Sequence, residues 1–224
     1  VVATFCYNIL RNKKIIVHDD NEYIYLYYID NLLENFYNLL KSKNKKIYTK
    51  IVNIDKIKVK SIADKFFDFF KNIATININD LKTQIDKNLY STFISFIPKN
   101  FFSFSVKSNK DDRGNFVEFL KSKNFGQVSF FSINVNKSRG EHYHHSKVEQ
   151  FIILKGSVKV KYFNLYNNKI TIKNVSEKKM EIFRSMPGYV HTIANTGRSK
   201  VLGIVWANEK FNIKKADTFK LNYE

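Results

Sequence analysis

Apolar residues recur every three to four positions in the first part of the chain and every two in the second, so the pattern predicts helices followed by strands. Residues 2–11 are apolar at helical spacing. Asp30 is placed to cap a helix over 31–41, which carries Leu32, Leu33, Phe36, Leu39 and Leu40 on one side. Residues 61–73 and 80–96 read as two further amphipathic helices, while 15–17 and 23–27 are short strand-like runs. Pro98, followed by Phe101-Phe102-Ser103-Phe104, marks a boundary between a region 1–98 and a region 99–224. Beyond it, residues 128–135, 151–154, 158–165, 170–175, 180–183 and 201–206 are β-branched or aromatic runs separated by Asn, Gly, Ser and Lys. Ser157 to Tyr162 alternates as a half-buried strand should, and Tyr166-Asn167-Asn168-Lys169 is a turn. Short strands at such intervals argue a β-sandwich or barrel, so the fold class is α+β: a mainly helical N-terminal segment, then an all-β domain.

At 224 residues and 44% hydrophobic, the chain is long and apolar enough to bury a core, which excludes wholesale disorder. Stretches free of charge, such as 125–136, run only about a dozen residues against the ~20 a membrane-spanning helix needs, and no signal peptide is visible. No membrane partner is expected. The lone Cys6 excludes an internal disulfide framework and any Cys-rich metal site, and a reducing, cytoplasmic setting is the expectation.

The net charge of +18 suggests nucleic acid, but its makeup does not. Only five of the 38 basic residues are Arg, and Lys, Asn, Phe and Tyr together supply 93 of the 224 residues, the bias of an AT-rich coding sequence. Nucleic-acid binders concentrate charge and use Arg for bidentate contacts; here no long basic block occurs, so the charge reads as a solvated Lys-rich surface. All seven glycines lie at or beyond Gly114, so the first half cannot contain a Gly-rich phosphate loop and no nucleotide-cofactor residues are assigned.

Four of the five histidines fall close together in sequence: His142, His144, His145 and His191. A single strand histidine is ordinarily a surface or satisfied core residue; spacing sets these apart. On a strand, positions i and i+2 share a face, so His142 and His144 point one way and Tyr143 the other. Glu149 follows across a short turn, and His191 supplies another imidazole. Three His and one carboxylate suit a first-row divalent metal, with zinc the expected ion. His145, of opposite parity, is either an outer support of the site or a residue of the second face. His18, among Asp19, Asp20 and Glu22, reads as a solvated loop residue.

The order H-x-H, x4, E, x6, G at residues 142–156, followed by G-x-x-H-x3-N at 188–195, resembles both halves of the cupin signature. In one departure, Pro187 stands one place later than the usual P-x-G-x-x-H and Glu181 replaces a usual Gly, while Gly188 and His191 keep their spacing. Upstream, Asp112-Arg113-Gly114-Asn115-Phe116-Val117-Glu118 resembles the start of sugar-nucleotide epimerases, including the dTDP-4-dehydrorhamnose 3,5-epimerases. Residues 121–127, 140–149, 205–211 and Ala216-Asp217-Thr218-Phe219 extend the likeness to one family, the bifunctional UDP-sugar reductase/epimerases of capsule and O-antigen synthesis (CapF-type). More loosely, Phe5 to Ile9, Ile15 to Asp20 and Tyr27 to Asn31 resemble the substrate-binding end of an extended short-chain dehydrogenase, and Leu89 to Phe93 the segment joining it to the cupin. Tyr37 and Lys41 match the dehydrogenase Tyr-x-x-x-Lys only as a string, inside a helix.

The resemblance implies a double-stranded β-helix (jelly roll) for 99–224 and the end of a short-chain dehydrogenase for 1–98, whose nucleotide-binding half, with its NADPH, would precede Val1. It implies inversion at carbon 3 of a UDP-2-acetamido-2,6-dideoxy-4-ketohexose, with NADPH-dependent reduction of carbon 4 by the missing half, and a homodimer. Inversion needs a base on one face and an acid on the other; His145, Tyr143, Glu118 and Tyr189 are the candidates. Arg113, with Asp112, would meet the UDP pyrophosphate. Two other readings compete: another metal-dependent cupin enzyme (sugar isomerase or dioxygenase), and a non-catalytic cupin dimerisation or binding module.

Overall fold

The computed structural model describes residues 1–42 and 54–221, which form two compact units. The first comprises Val1–Thr75 and Leu81–Phe104. Its elements are α1 (Val2–Ile9), β1 (Tyr23–Leu26), α2 (Ile29–Lys41), β2 (Asp55–Lys58), α3 (Val59–Asn72) and α4 (Gln84–Ser95). On α3 the buried Val59, Ile62, Ala63, Phe66 and Phe69 recur at helical spacing and form one stripe. That stripe packs on Phe5, Cys6 and Ile9 of α1 and on Leu89 and Phe93 of α4, with the Phe66 and Phe93 rings 5.2 Å apart. Thr83 caps α4 through a reciprocal box with Asp86: the Thr83 hydroxyl accepts from the Asp86 N–H, and the Asp86 carboxylate accepts from the Thr83 N–H.

Three sequence expectations change here. Residues 15–17 are irregular, and Ile15 and Val17 instead lay their side chains partly against the core. The cap of α2 is Tyr28, while Asp30 lies inside the first turn, where its charge opposes the positive end of the helix dipole. The helix expected over 80–96 starts only at Gln84, because Thr83 is extended and caps it. Residues 76–80 belong to the other unit, where the Ile78 N–H donates to the Lys121 carbonyl at 2.8 Å and the Lys121 N–H to the Ile76 carbonyl at 2.7 Å. On α2, Tyr37 is exposed and Lys41 stacks over its ring at 4.2 Å, an ordinary cation–π pair.

The second unit, Ile76–Asp80 and Ser105–Glu224, is built of strands β3 (Ser108–Asp111), β4 (Gly114–Ser122), β5 (Gly126–Ile133), β6 (Ser138–Tyr143), β7 (Glu149–Lys155), β8 (Ser157–Asn164), β9 (Ile170–Ser176), β10 (Ile182–Ser185), β11 (Tyr189–Asn195), β12 (Val201–Ala207) and β13 (Phe219–Lys220). They form a six-stranded sheet ordered β10-β7-β12-β5-β4-β3 and a five-stranded sheet ordered β13-β6-β11-β8-β9. Every pairing between these strands is antiparallel. Alternation sets the inner faces: Phe131, Ile133, Phe151, Ile153, Val201 and Val205 from one sheet meet Val158, Val160, Tyr162, Val175 and Ile193 from the other. The edge strands β3 and β13, short and polar or terminal, gave no strand signal in the sequence. No helix among the described residues is long and apolar enough to cross a membrane.

Candidate metal centre

His142 on β6 stands directly opposite His191 on β11, and the register of this pair shifts just past His191. Gly140 makes the shift possible. Its φ is +99°, and a Cβ there would lie 2.3 Å from the His191 carbonyl oxygen. Glu141 also has positive φ, so two consecutive residues of unusual backbone precede His142. His144 follows one residue past the end of β6, and Glu149 opens β7, on the other sheet.

These four residues converge. One ligand atom from each of His142, His144, Glu149 and His191 lies within 4.8 Å of the others. The His142 ring sits 4.7 Å from that of His191 and 4.9 Å from that of His144. The carboxylate Oε2 of Glu149 lies 3.2 Å from His144 Nε2 and 3.6 Å from His191 Nε2. His142 Nδ1 faces the Gly140 carbonyl at 3.0 Å and His144 Nδ1 faces the carbonyl of Asp217, so each must donate there and keep its Nε2 lone pair. His191 Nδ1 is buried without a hydrogen-bond partner among the described residues.

The protonation states suit ligation. Burial pushes His142 down to about 4 and His191 to about 3. Burial alone would raise Glu149, but the His144 ring and the nearby His191 and Lys147 outweigh it and bring the carboxyl to about 2. At neutral pH, therefore, His142 and His191 are neutral and Glu149 is ionised, the forms that bind metal. A compact set of three imidazoles and one carboxylate, with His144 and His191 buried, His142 and Glu149 half-buried and one ring nitrogen orphaned, fits a divalent cation.

The other candidate residues divide by face. Tyr143 turns away from the cluster and stacks on Phe219 at 5.4 Å, and the exposed His145 packs on the same pair, so His145 belongs to the second face. Glu118, in register with the buried Ser129, follows Phe116 on the inner face of β4 and pairs with Lys121 at 2.8 Å. Tyr189 precedes His191 by two on β11, packs on the core, and its hydroxyl accepts from Asn164 at 2.9 Å. Asp112 and Arg113 form the exposed two-residue loop between β3 and β4. Arg113 donates to Asp111, and Asp112 pairs with Lys137 at 2.7 Å. The late Pro187 fits its place: Met186 to Tyr189 is a turn closed at 3.1 Å, with Pro second and Gly188, at φ +79°, third, as a type II turn requires. Sequence reasoning missed Asp217 and Lys147 as neighbours of the cluster; the only signal was that Asp217 fell inside the family-like tail.

Two antiparallel sheets closing around a three-histidine, one-carboxylate cluster define a cupin-type domain. Residues 109–219 match the family described as the polysaccharide biosynthesis C-terminal domain. The chain is 33% identical over 219 residues to the UDP-2-acetamido-2,6-beta-L-arabino-hexul-4-ose reductase of Pseudomonas aeruginosa, covering 97% of this chain and 59% of that protein. It superposes on the capsular polysaccharide assembling protein CapF from Staphylococcus aureus with a TM-score of 0.91 at 32% identity, over 100% of this chain and 61% of that one. A second crystal form of the staphylococcal protein gives 0.90 at 31% identity, over 99% of this chain and 65% of that one. Over nearly its whole length the chain is thus similar to the CapF-type proteins, and it spans about three-fifths of the length of these relatives.

Proposed function

We propose that this chain epimerises carbon 3 of a UDP-linked 2-acetamido-2,6-dideoxy-4-ketohexose, using the β unit, and that the helical unit is the substrate-side end of a short-chain dehydrogenase. NADPH-dependent reduction of carbon 4 would then belong to a part of the family's fold that these 224 residues do not include. The observation that carries the reading is the convergence of His142, His144, Glu149 and His191 inside a domain whose Pseudomonas relative is named for a 4-keto acetamido sugar.

The chemistry is a proton relocation. A base removes the proton on carbon 3, the C–H pair becomes a carbon 3–carbon 4 double bond, and the carbonyl oxygen takes the charge as an enolate. An acid then returns a proton to carbon 3 from the opposite face, and the ketone re-forms. A bound divalent metal supplies Lewis-acid stabilisation of such charge. The two inner-face candidates suit the rest. Glu118 extends from the six-stranded sheet and Tyr189 from the five-stranded one, so they approach the interior from opposite sides, as inversion requires. Glu118 is assigned as the base, steadied by Lys121, and Tyr189 as the acid, its hydroxyl oriented by Asn164. Arg113, released from Asp111, would meet the pyrophosphate.

The test is incubation with the 4-keto UDP-sugar in deuterated water, followed by mass and NMR analysis of carbon 3. Deuterium at that carbon supports the reading, and its loss in Glu118→Gln supports the assignment of the base. No incorporation by the folded, zinc-loaded protein overturns it in favour of a non-catalytic cupin module.

A further inference from the structure

His144 is fully buried, and what fixes its ring comes from the far end of the domain. The Asp217 carbonyl accepts from His144 Nδ1 across 73 residues of sequence. Asp217 is itself anchored. Its carboxylate accepts from three successive backbone N–H groups, those of His145, Ser146 and Lys147, each at 2.8 Å, and from the Ser146 hydroxyl at 3.1 Å. Such a run of backbone donors around one carboxylate is an anion nest. It pins the turn that joins His144 to Glu149. Burial would raise the Asp217 carboxyl, but these donors hold it well below the usual carboxylate range, so it is charged at any physiological pH.

The next residues act on the same turn and strand. Thr218 Oγ1 accepts from Lys147 Nζ at 3.2 Å, and that ammonium lies 3.5 Å from Glu149 Oε1. Phe219 and Lys220 pair with Tyr143 and His142 to add β13 to the edge of the sheet, and the Phe219 ring covers Tyr143 and His145. One four-residue segment therefore touches His144 directly and supports the backbone of His142 and, through Lys147, the carboxylate of Glu149. None of its side chains is among the four converging donors.

We infer that residues 217–220 are a clasp that positions the metal ligands, with Asp217 as its pin: the segment fixes the His144 tautomer and the ring's aim, and sets the distance between His144 and Glu149. The inference rests on the metal reading of the four-residue cluster. Asp217 is a positioning residue, acting through groups that would hold the ion. Loss of supports of this kind ordinarily costs about 10- to 100-fold in metal affinity.

The experiment compares wild type, Asp217→Ala, Asp217→Asn and Thr218→Val as folded apo proteins. Zinc affinity is measured by competition with a chromophoric chelator, and the cobalt(II)-loaded proteins are compared by visible spectrum. Asp217→Ala should bind zinc about 10- to 100-fold more weakly and shift the cobalt bands, because the ligand geometry itself relaxes. Asp217→Asn keeps the side-chain shape and the main-chain carbonyl but loses the charge that holds three N–H groups; it should fall between wild type and Asp217→Ala and serves if the alanine variant does not fold. Thr218→Val should show the smallest loss. A purely structural tail would lower the melting temperature of the apo protein and leave affinity and spectrum alone. Zinc affinity within twofold of wild type and unchanged cobalt bands in the folded Asp217 variants overturn the clasp while leaving the metal reading intact. Wild type that binds neither zinc nor cobalt overturns both.

Discussion

Two carboxylates, Asp86 buried in one unit and Glu149 half-buried in the other, sit beside a lysine and have opposite surroundings. Asp86 in the helical unit pairs with Lys65 at 2.6 Å and accepts from the Thr83 hydroxyl and N–H, so its hydrogen bonds are made by groups that need it in return. Burial would raise its pKa, but Lys65 and Thr83 hold it below the usual range. Glu149 in the β unit lies among the imidazoles of the cluster, accepts from the Ser185 hydroxyl at 3.3 Å, and has Lys147 at a looser 3.5 Å. In the same cluster, His191 Nδ1 is buried without a partner among the described residues. The first arrangement is finished without a ligand. The second brings three imidazoles and a carboxylate together around one point, with a buried ring nitrogen left unpaired, and buried polar groups of that kind mark function more often than stability.

The contrast can be broken most forcefully at the core of the helical unit. Phe66→Ala should destabilise that unit by about 3–5 kcal/mol, read as loss of helical circular dichroism at lower denaturant. Zinc affinity and the fluorescence of the single Trp206, which lies in the β unit, should not change. In the other direction, His191→Ala should weaken zinc binding by at least about a hundredfold, about 2.8 kcal/mol, with the helical unit unaltered; retained stoichiometric zinc after dialysis would refute the ligand set. Asp86→Asn comes next, at about 1–3 kcal/mol, because it leaves the Lys65 ammonium facing a neutral amide in a half-buried place. The pH dependence has a definite sign. A carboxylate whose folded pKa is depressed stabilises fully above its unfolded pKa of about 3.9 and loses that contribution as pH falls through the folded value. The gap between wild type and Asp86→Asn should therefore hold at neutral pH and close on acidification below about 4, measured by denaturant titration at a series of pH values. Smallest of all, Lys137→Ala removes the exposed partner of Asp112 and should leave stability unchanged within error.

The cluster was legible because strand parity and spacing speak about the same geometry: His142 and His191 meet across one ladder, and the sequence between them reads as short strands separated by turns. The α3 stripe was legible for the same reason in helical terms. What escaped was set by contacts distant in sequence. Nothing local in residues 76–80 announces that they will pair beside Lys121, since only the partner strand makes them extended. The cap of α2 falls on Tyr28, a residue with no capping side chain, while Asp30 looked the better candidate. Glu141 at φ +60° and the shift beside His191 belong to a bulge that exists only once two strands are paired. Asp217 is the extreme case, an ordinary acidic residue until the tail folds back onto the turn after His144.

The spacing of the four candidate donors also bears on the denatured chain. His142, His144 and Glu149 are near neighbours in sequence, so an unfolded molecule already carries a weak local chelator. A cation's stabilisation of the native state is the difference between its grip on the folded and the unfolded forms. Only His191 is recruited from a distance, through a loop whose closure the unfolded ensemble resists. The third imidazole would thus do more than complete a coordination shell: it is the donor that would tie occupancy of the site to possession of the fold.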